Sequence, residues 1–192
     1  MKTKERILKE SMKLFSINGF DSVSIRAIAD AVGVGNSALY KHFPSKQAIF
    51  DAIVEQSKQY FLQYCNYVQN SINNIDDFVK MCISMFEFQV GDEWIVMFRR
   101  ILLIEQFKNE EMAKTFKEFF IELPLISQKR VFEKLIADGI MKRKNPEVLA
   151  LELYAPFFVY HTVRYDKEKL MDTLKVHAEY FYLENFDFEK RR

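Results

Sequence analysis

Residues 24–46, SIRAIADAVGVGNSALYKHFPSK, constrain this chain more than any other stretch. Ile25, Ile28, Ala29 and Val32 recur at i, i+3, i+4 and i+7, the stripe of a helix with one buried face. Ser24 stands where a hydroxyl caps the free N–H groups of a first helical turn. Gly33 then supplies a turn, because a residue without Cβ takes positive φ at little cost. Leu39 and Phe43, four apart, give the following helix a single apolar side. Pro44 ends that helix and Ser45 can cap the next. The stretch reads as helix, turn and helix. On the outer side of the second helix lie Asn36, Ser37, Tyr40, Lys41 and His42. Short polar groups, a phenol and a cation are the types that meet base edges and phosphates in a major groove.

The same residues offer a rival pattern, since Gly33-Val34-Gly35-Asn36-Ser37-Ala38 satisfies the G-x-G-x-x-A spacing of dinucleotide sites. That fingerprint requires a preceding strand. What precedes Gly33 has a period near 3.6 and no alternating β-branched run, so the DNA-reading interpretation stands.

The run Ile28-Ala29, Gly33-Val34, Leu39-Tyr40, Phe43 and Lys46, preceded by Leu14-Phe15 and Gly19-Phe20, resembles the N-terminal domain of the tetracycline-repressor (TetR) family of bacterial regulators. The likeness extends over about the first fifty residues, and beyond them only length and helical style agree. It implies an all-helical homodimer with a three-helix DNA-binding head on a larger effector-binding body, and repression relieved by a small molecule. Carried over by position, Asn36, Ser37, Tyr40, Lys41 and His42 would lie at the DNA, and Arg26 and Lys46 would hold phosphates. Two positions depart from the family pattern. Gly35 stands where a capping Ser or Thr is frequent, at a cost of a few tenths of a kcal/mol, and Ser37 stands where Gly or Ala is frequent.

Composition agrees with a helical, DNA-binding chain. Only five Gly and four Pro occur in 192 residues, and 49% of the residues are hydrophobic in i, i+3, i+4 patterns, which predicts an all-α protein. The net charge of +1 conceals an asymmetry: residues 1–50 hold 8 Lys and Arg against 4 Asp and Glu, leaving +4, and the remainder carries −3. A basic head favours phosphate, although four charges make only a modest field. The division expected is a DNA-binding domain over 1–46 and an effector-binding and dimerisation domain over 47–192. Cys65 and Cys82 fall in apolar helical patterns and are read as reduced thiols. The charged N-terminus lacks the apolar core of a signal peptide, and no apolar run approaches the ~20 residues needed to cross a bilayer. The expectation is a cytoplasmic protein without a membrane partner.

Along the chain, Thr3 is placed to cap a first helix ending near Asn18-Gly19, and a helix without Gly or Pro is predicted from about Lys46 to Gln69. Helices follow over Ile75–Val90 and Glu93–Phe107, and Glu110–Ala137 reads as a helix kinked at Pro124. The Glu93–Phe107 segment is apolar almost all round, so Arg99, Arg100 and Glu105 stand out. Two readings remain open for these charges, a paired or snorkelling structural role and a polar anchor for a ligand. Asn145-Pro146-Glu147 is a strong helix start. The helix it opens, and a last one over Lys167–Asn185, carry Leu153, Phe157, Tyr160, Leu174 and Phe181, more apolar surface than one core uses. A four-helix bundle with a second copy would cover it, where the family resemblance also places a dimer interface.

Of 29 aromatic residues, 24 lie beyond residue 50, and most are expected to be core. Phe61, Tyr64, Phe86, Trp94, Met97 and Phe98 fall on the helices that enclose an effector cavity in similar proteins. With Arg99 or Arg100 beside them, they would suit an apolar or aromatic compound, including one with an anionic group. Neither a catalytic constellation nor a metal-ligand spacing is visible, and His42, His161 and His177 read as interface or core residues. No cofactor is expected and the chain is not read as an enzyme. The function expected is a ligand-responsive transcriptional regulator, a repressor that binds a palindromic operator as a homodimer. The alternative is a DNA-binding architectural or protein-interaction module without small-molecule control.

Overall fold

A computed structural model of the chain describes residues 2–68, 72, 74–161 and 167–187. The side chains of Cys65 and His161, and the helix end expected at Gln69, lie outside the described residues. Among the described residues, ten α-helices follow one another: α1 Thr3–Asn18, α2 Ile25–Val32, α3 Asn36–Tyr40, α4 Lys46–Val68, α5 Ile75–Gly91, α6 Glu93–Glu105, α7 Glu110–Lys117, α8 Leu123–Ala137, α9 Pro146–His161 and α10 Lys167–Asn185. Among the described residues, extended pairing is confined to one isolated bridge between Met141 and Phe186. The chain is all-α.

Local chemistry sets most of the helix starts. The Asn145 side-chain oxygen accepts from the N–H groups of Glu147 (2.9 Å) and Val148 (3.3 Å) at the head of α9. Asp92 does the same for Ile95 at α6, and Ser45 for Ala48 at α4. At α1 the expected cap moves by one residue: Thr3 is already helical, and Lys2 precedes the helix with its N–H donating to the Glu5 carboxylate at 3.0 Å.

The expected kink at Pro124 takes a particular form. Between α7 and α8 the chain makes one π turn over Glu118–Glu122. Pro124 has no N–H to offer the carbonyl four residues back, that of Phe120. The Tyr154 hydroxyl on α9 donates to that carbonyl instead, at 2.8 Å in a buried setting.

The helices divide into two compact units that are not continuous in sequence, Met1–Tyr64 with Gly91–Phe116, and Cys65–Val90 with Lys117–Arg192. The first contains the whole predicted head, and it also includes most of α4 together with α6, which packs along α1. Ile7, Met12, Phe15, Ile28, Leu39, Ile53, Phe98 and Ile101 are fully or almost fully buried there. In the second unit α8 packs on α9 and α9 on α10 around Phe78, Phe86, Phe132, Leu153, Leu174 and Tyr182. Phe78 stacks nearly parallel to Phe181 with ring centroids 5.9 Å apart. Cys82 is buried in this core, and burial pushes its thiol up to about 12, which keeps it protonated and unreactive at neutral pH.

The residues expected at a dimer interface are placed differently by the structure. Leu153, Phe157, Leu174 and Phe181 are buried within the chain's own second unit, and Tyr160 is partly covered. The surplus apolar surface lies on other faces of the same helices. Val148, Leu151, Ala155 and Val159 form an exposed row along α9, and Val176, Tyr180 and Leu183 form one along α10. Each helix is therefore apolar on two faces, and periodicity alone could not say which face the chain's own core would use.

Candidate nucleic-acid interface

The turn between α2 and α3 is held by groups on both sides of it. The Ser24 hydroxyl oxygen accepts from the Ala27 N–H at 3.1 Å, closing the first turn of α2. Gly33 ends that helix in the left-handed region, φ 74° and ψ 39°, and the Val34 N–H returns to the Ala29 carbonyl at 3.0 Å. From α1, the Arg6 guanidinium donates to the Val32 carbonyl, one of those a helix end leaves without an internal donor. Nothing in the sequence marked Arg6, whose partner is 26 residues away.

Helix α3 is short, Asn36–Tyr40, and Gly35 precedes it without a side-chain cap, as the departure from the family pattern implies. Leu39 and Phe43 turn inward and are buried, and the Lys4 ammonium lies 5.5 Å from the centre of the Phe43 ring. Asn36, Ser37, Tyr40, Lys41 and His42 are all exposed, with Tyr40 51% accessible despite its large ring. The five residues singled out by sequence are thus all exposed, Asn36, Ser37 and Tyr40 on α3 and Lys41 and His42 in the turn that follows it. Arg26, also exposed, lies 4.0 Å from Asp30 one turn along α2. That contact is too loose and too solvated to compete strongly with a phosphate.

Lys46 has a different environment from the one expected. Its ammonium donates to the Phe20 carbonyl at 2.7 Å and the Asp21 carbonyl at 3.2 Å, and lies 4.4 Å from the centre of the Phe20 ring. Two of its three protons are used inside the head, and one remains for a phosphate. The N–H of the same Phe20 donates to Glu105 Oε1 at 3.0 Å. Glu105 is 2% exposed at the end of α6, so one of the three unusual charges of that helix is a structural partner of the head.

The other two charges separate. Arg99 is 5% exposed and Arg100 is exposed. Of the residues proposed as a ligand wall, Phe61, Tyr64, Trp94, Met97 and Phe98 belong to the first unit with both arginines, whereas Phe86 belongs to the second. Phe61, Met97 and Phe98 are buried, and Trp94 is partly covered, its indole N–H donating to the Ser57 hydroxyl at 2.8 Å. Ser57 in turn donates to the Ile53 carbonyl at 2.7 Å. Tyr60 on α4 is 38% exposed, and its hydroxyl donates to Asp92 at 2.7 Å. That bond, which only the neutral phenol can make, pushes Tyr60 up to about 12, with burial adding to it.

These features can be set against known proteins. Residues 7–53 match the profile of the bacterial regulatory proteins of the tetR family. The HTH-type transcriptional regulator UidR of Escherichia coli (strain K12) is 30% identical over 115 residues, which cover 60% of this chain and 57% of UidR, so the aligned stretch spans little more than half of that relative. The Biofilm operon icaADBC HTH-type negative transcriptional regulator IcaR of Staphylococcus aureus (strain Newman) is 26% identical over 144 residues, 69% of this chain and 77% of IcaR. A putative TetR-family regulator from Mesorhizobium loti shares the fold with a TM-score of 0.76 at 18% identity, covering 96% of this chain and 97% of its own. SmeT in its triclosan complex does so with a TM-score of 0.74 at 19% identity, covering 98% and 93%. A matched head at the turn just described, regulator relatives, and a fold shared along nearly the whole length place this chain in the tetR family of bacterial regulatory proteins.

Proposed function

We propose that the chain is a transcriptional repressor that binds a palindromic operator as a homodimer and releases it when a small molecule binds. The observation that carries this reading is the exposed set Asn36, Ser37 and Tyr40 on α3 with Lys41 and His42 in the turn that follows it, backed by buried Leu39 and Phe43. In this reading residues 1–46 read DNA, residues 47–192 bind effector and partner, and Arg26 and the remaining proton of Lys46 meet phosphates. Two recognition helices about one DNA turn apart, ~34 to 36 Å, fit successive major grooves.

The dimer surface proposed is the exposed apolar row of α9 and α10, which matches in kind the self-complementary face of a two-fold pair. The effector proposed is apolar or aromatic and enters among Phe61, Trp94, Met97, Phe98 and Arg99. Two relatives of similar fold support that class by name, SmeT bound to triclosan and the Flavonoid-responsive Regulator FrrA. A coupling of ~1 to 3 kcal/mol between the sites already changes operator affinity several-fold to about a hundred-fold.

The test is selection of duplexes from a random-sequence pool by the full-length protein. A palindromic sequence should be enriched, and Asn36→Ala should change the preferred bases without changing the salt dependence. Binding with no preferred sequence would instead favour an architectural role on DNA.

A further inference from the structure

The Phe20 peptide is gripped at both ends by charged side chains from two different helices. Lys46, at the first turn of α4, holds its carbonyl, and Glu105, at the last turn of α6, holds its N–H. The same two helices are also joined farther along, by Trp94 to Ser57 and by Tyr60 to Asp92. Glu105 is the more constrained of the two grips. A Cβ at position 19 would lie 2.6 Å from Glu105 Oε1, so the carboxylate occupies the space a side chain would need, and Gly19 has φ 80° there. The Phe20 ring packs 5.2 Å from that of Phe15 on α1 and 5.4 Å from that of Phe50 on α4. The Gly19–Phe20 turn joins α1 to the segment leading into α2, so its position sets where the recognition unit begins.

We propose that Glu105 is a positioning residue for operator recognition: from the end of α6 its carboxylate fixes the Phe20 N–H, and through it the direction in which α2 and α3 leave α1. It touches no DNA itself. The proposal rests on the operator-binding reading above and adds the residue through which α6 bears on it. Reach matters more than charge here, because hydrogen bonds weaken steeply with distance and angle. A carboxylate one methylene shorter cannot hold the same N–H, whereas a glutamine carbonyl at the same reach can.

Glu105→Asp and Glu105→Gln separate these terms, and both keep a polar group in the same buried space. Each is compared with the parent on the duplex that the parent enriches from a random pool, and on a mixed-sequence duplex at low salt. Glu105→Asp should lose on the order of tenfold in affinity for the enriched duplex, with mixed-sequence binding and salt slope unchanged because no phosphate contact is lost. Glu105→Gln should stay within about twofold of the parent. A purely structural role would lower the melting temperature without changing the ratio of enriched to mixed-sequence affinity. In the parent, amide exchange by NMR should show the Phe20 N–H protected although it lies in a turn. Glu105→Asp binding as the parent does, Glu105→Gln losing as much as Glu105→Asp, or rapid exchange of the parent Phe20 N–H would each overturn the proposal. A parent that enriches no sequence would overturn the operator reading, and this proposal with it.

Discussion

At the scale of the residue, Lys46 shows how a motif position can hold two roles. The family resemblance assigns it to phosphate, whereas its ammonium donates to two carbonyls of the turn after α1. A charged group in such bonds contributes on the order of 1.5 kcal/mol. Lys46→Ala is therefore expected to destabilise the protein by about that amount in chemical denaturation and, because its remaining proton is proposed to meet a phosphate, to lower the salt slope of DNA binding by about 1. A slope equal to the parent's would show that its role is wholly internal. The exposed row on α3 and the turn after it was legible in the sequence, because Leu39 and Phe43 fix which side of the segment faces inward and the rest follows. The internal role of Lys46 was not, and neither were those of Arg6 and Glu105, because their partners are 26, 26 and 85 residues away. Only Glu105 left a trace, as an acid in an otherwise apolar helix.

At the scale of the element, the helices themselves were nearly all readable, because their signals are local. Asn145 with Pro146, Ser24 with Gly33, and Ser45 after Pro44 mark ends by satisfying or removing N–H groups within a few residues. The stretch from α7 to α8 was harder. Proline announces that a hydrogen bond is missing, but not whether the helix will bend, break or widen into a π turn. The donor that meets the Phe120 carbonyl comes from elsewhere, the Tyr154 hydroxyl, 34 residues along the chain. Tyr154→Phe keeps the ring and removes only that buried hydrogen bond. A loss of about 1 to 3 kcal/mol in denaturant unfolding is expected, with helix content by circular dichroism nearly unchanged. A loss below a few tenths of a kcal/mol would mean that water replaces the hydroxyl.

At the scale of the whole molecule, α9 and α10 use one apolar face in the chain's own core and leave the other exposed. The sequence shows the excess but not the assignment, since a helix that is apolar on two sides carries no single direction. Two substitutions distinguish the faces. Leu151→Glu, on the exposed row, should leave the fold intact and convert a dimer to monomers in sedimentation velocity at micromolar concentration. Phe157→Ala, in the core, should cost about 3 to 5 kcal/mol of stability. Monomeric wild-type protein under the same conditions would remove the dimer from the proposed function.

The order in which the chain is synthesised has a bearing on its first unit. That unit takes in Gly91–Phe116 after the chain has left it at Tyr64, so a ribosome that has translated every residue proposed to meet DNA has not yet translated α6. A nonsense mutation between codons 65 and 90 would yield a polypeptide with an intact recognition sequence but without Glu105, the acceptor of the Phe20 N–H. Such a truncated product, though it keeps the whole stretch that matches the family profile, would be an incomplete reader of DNA.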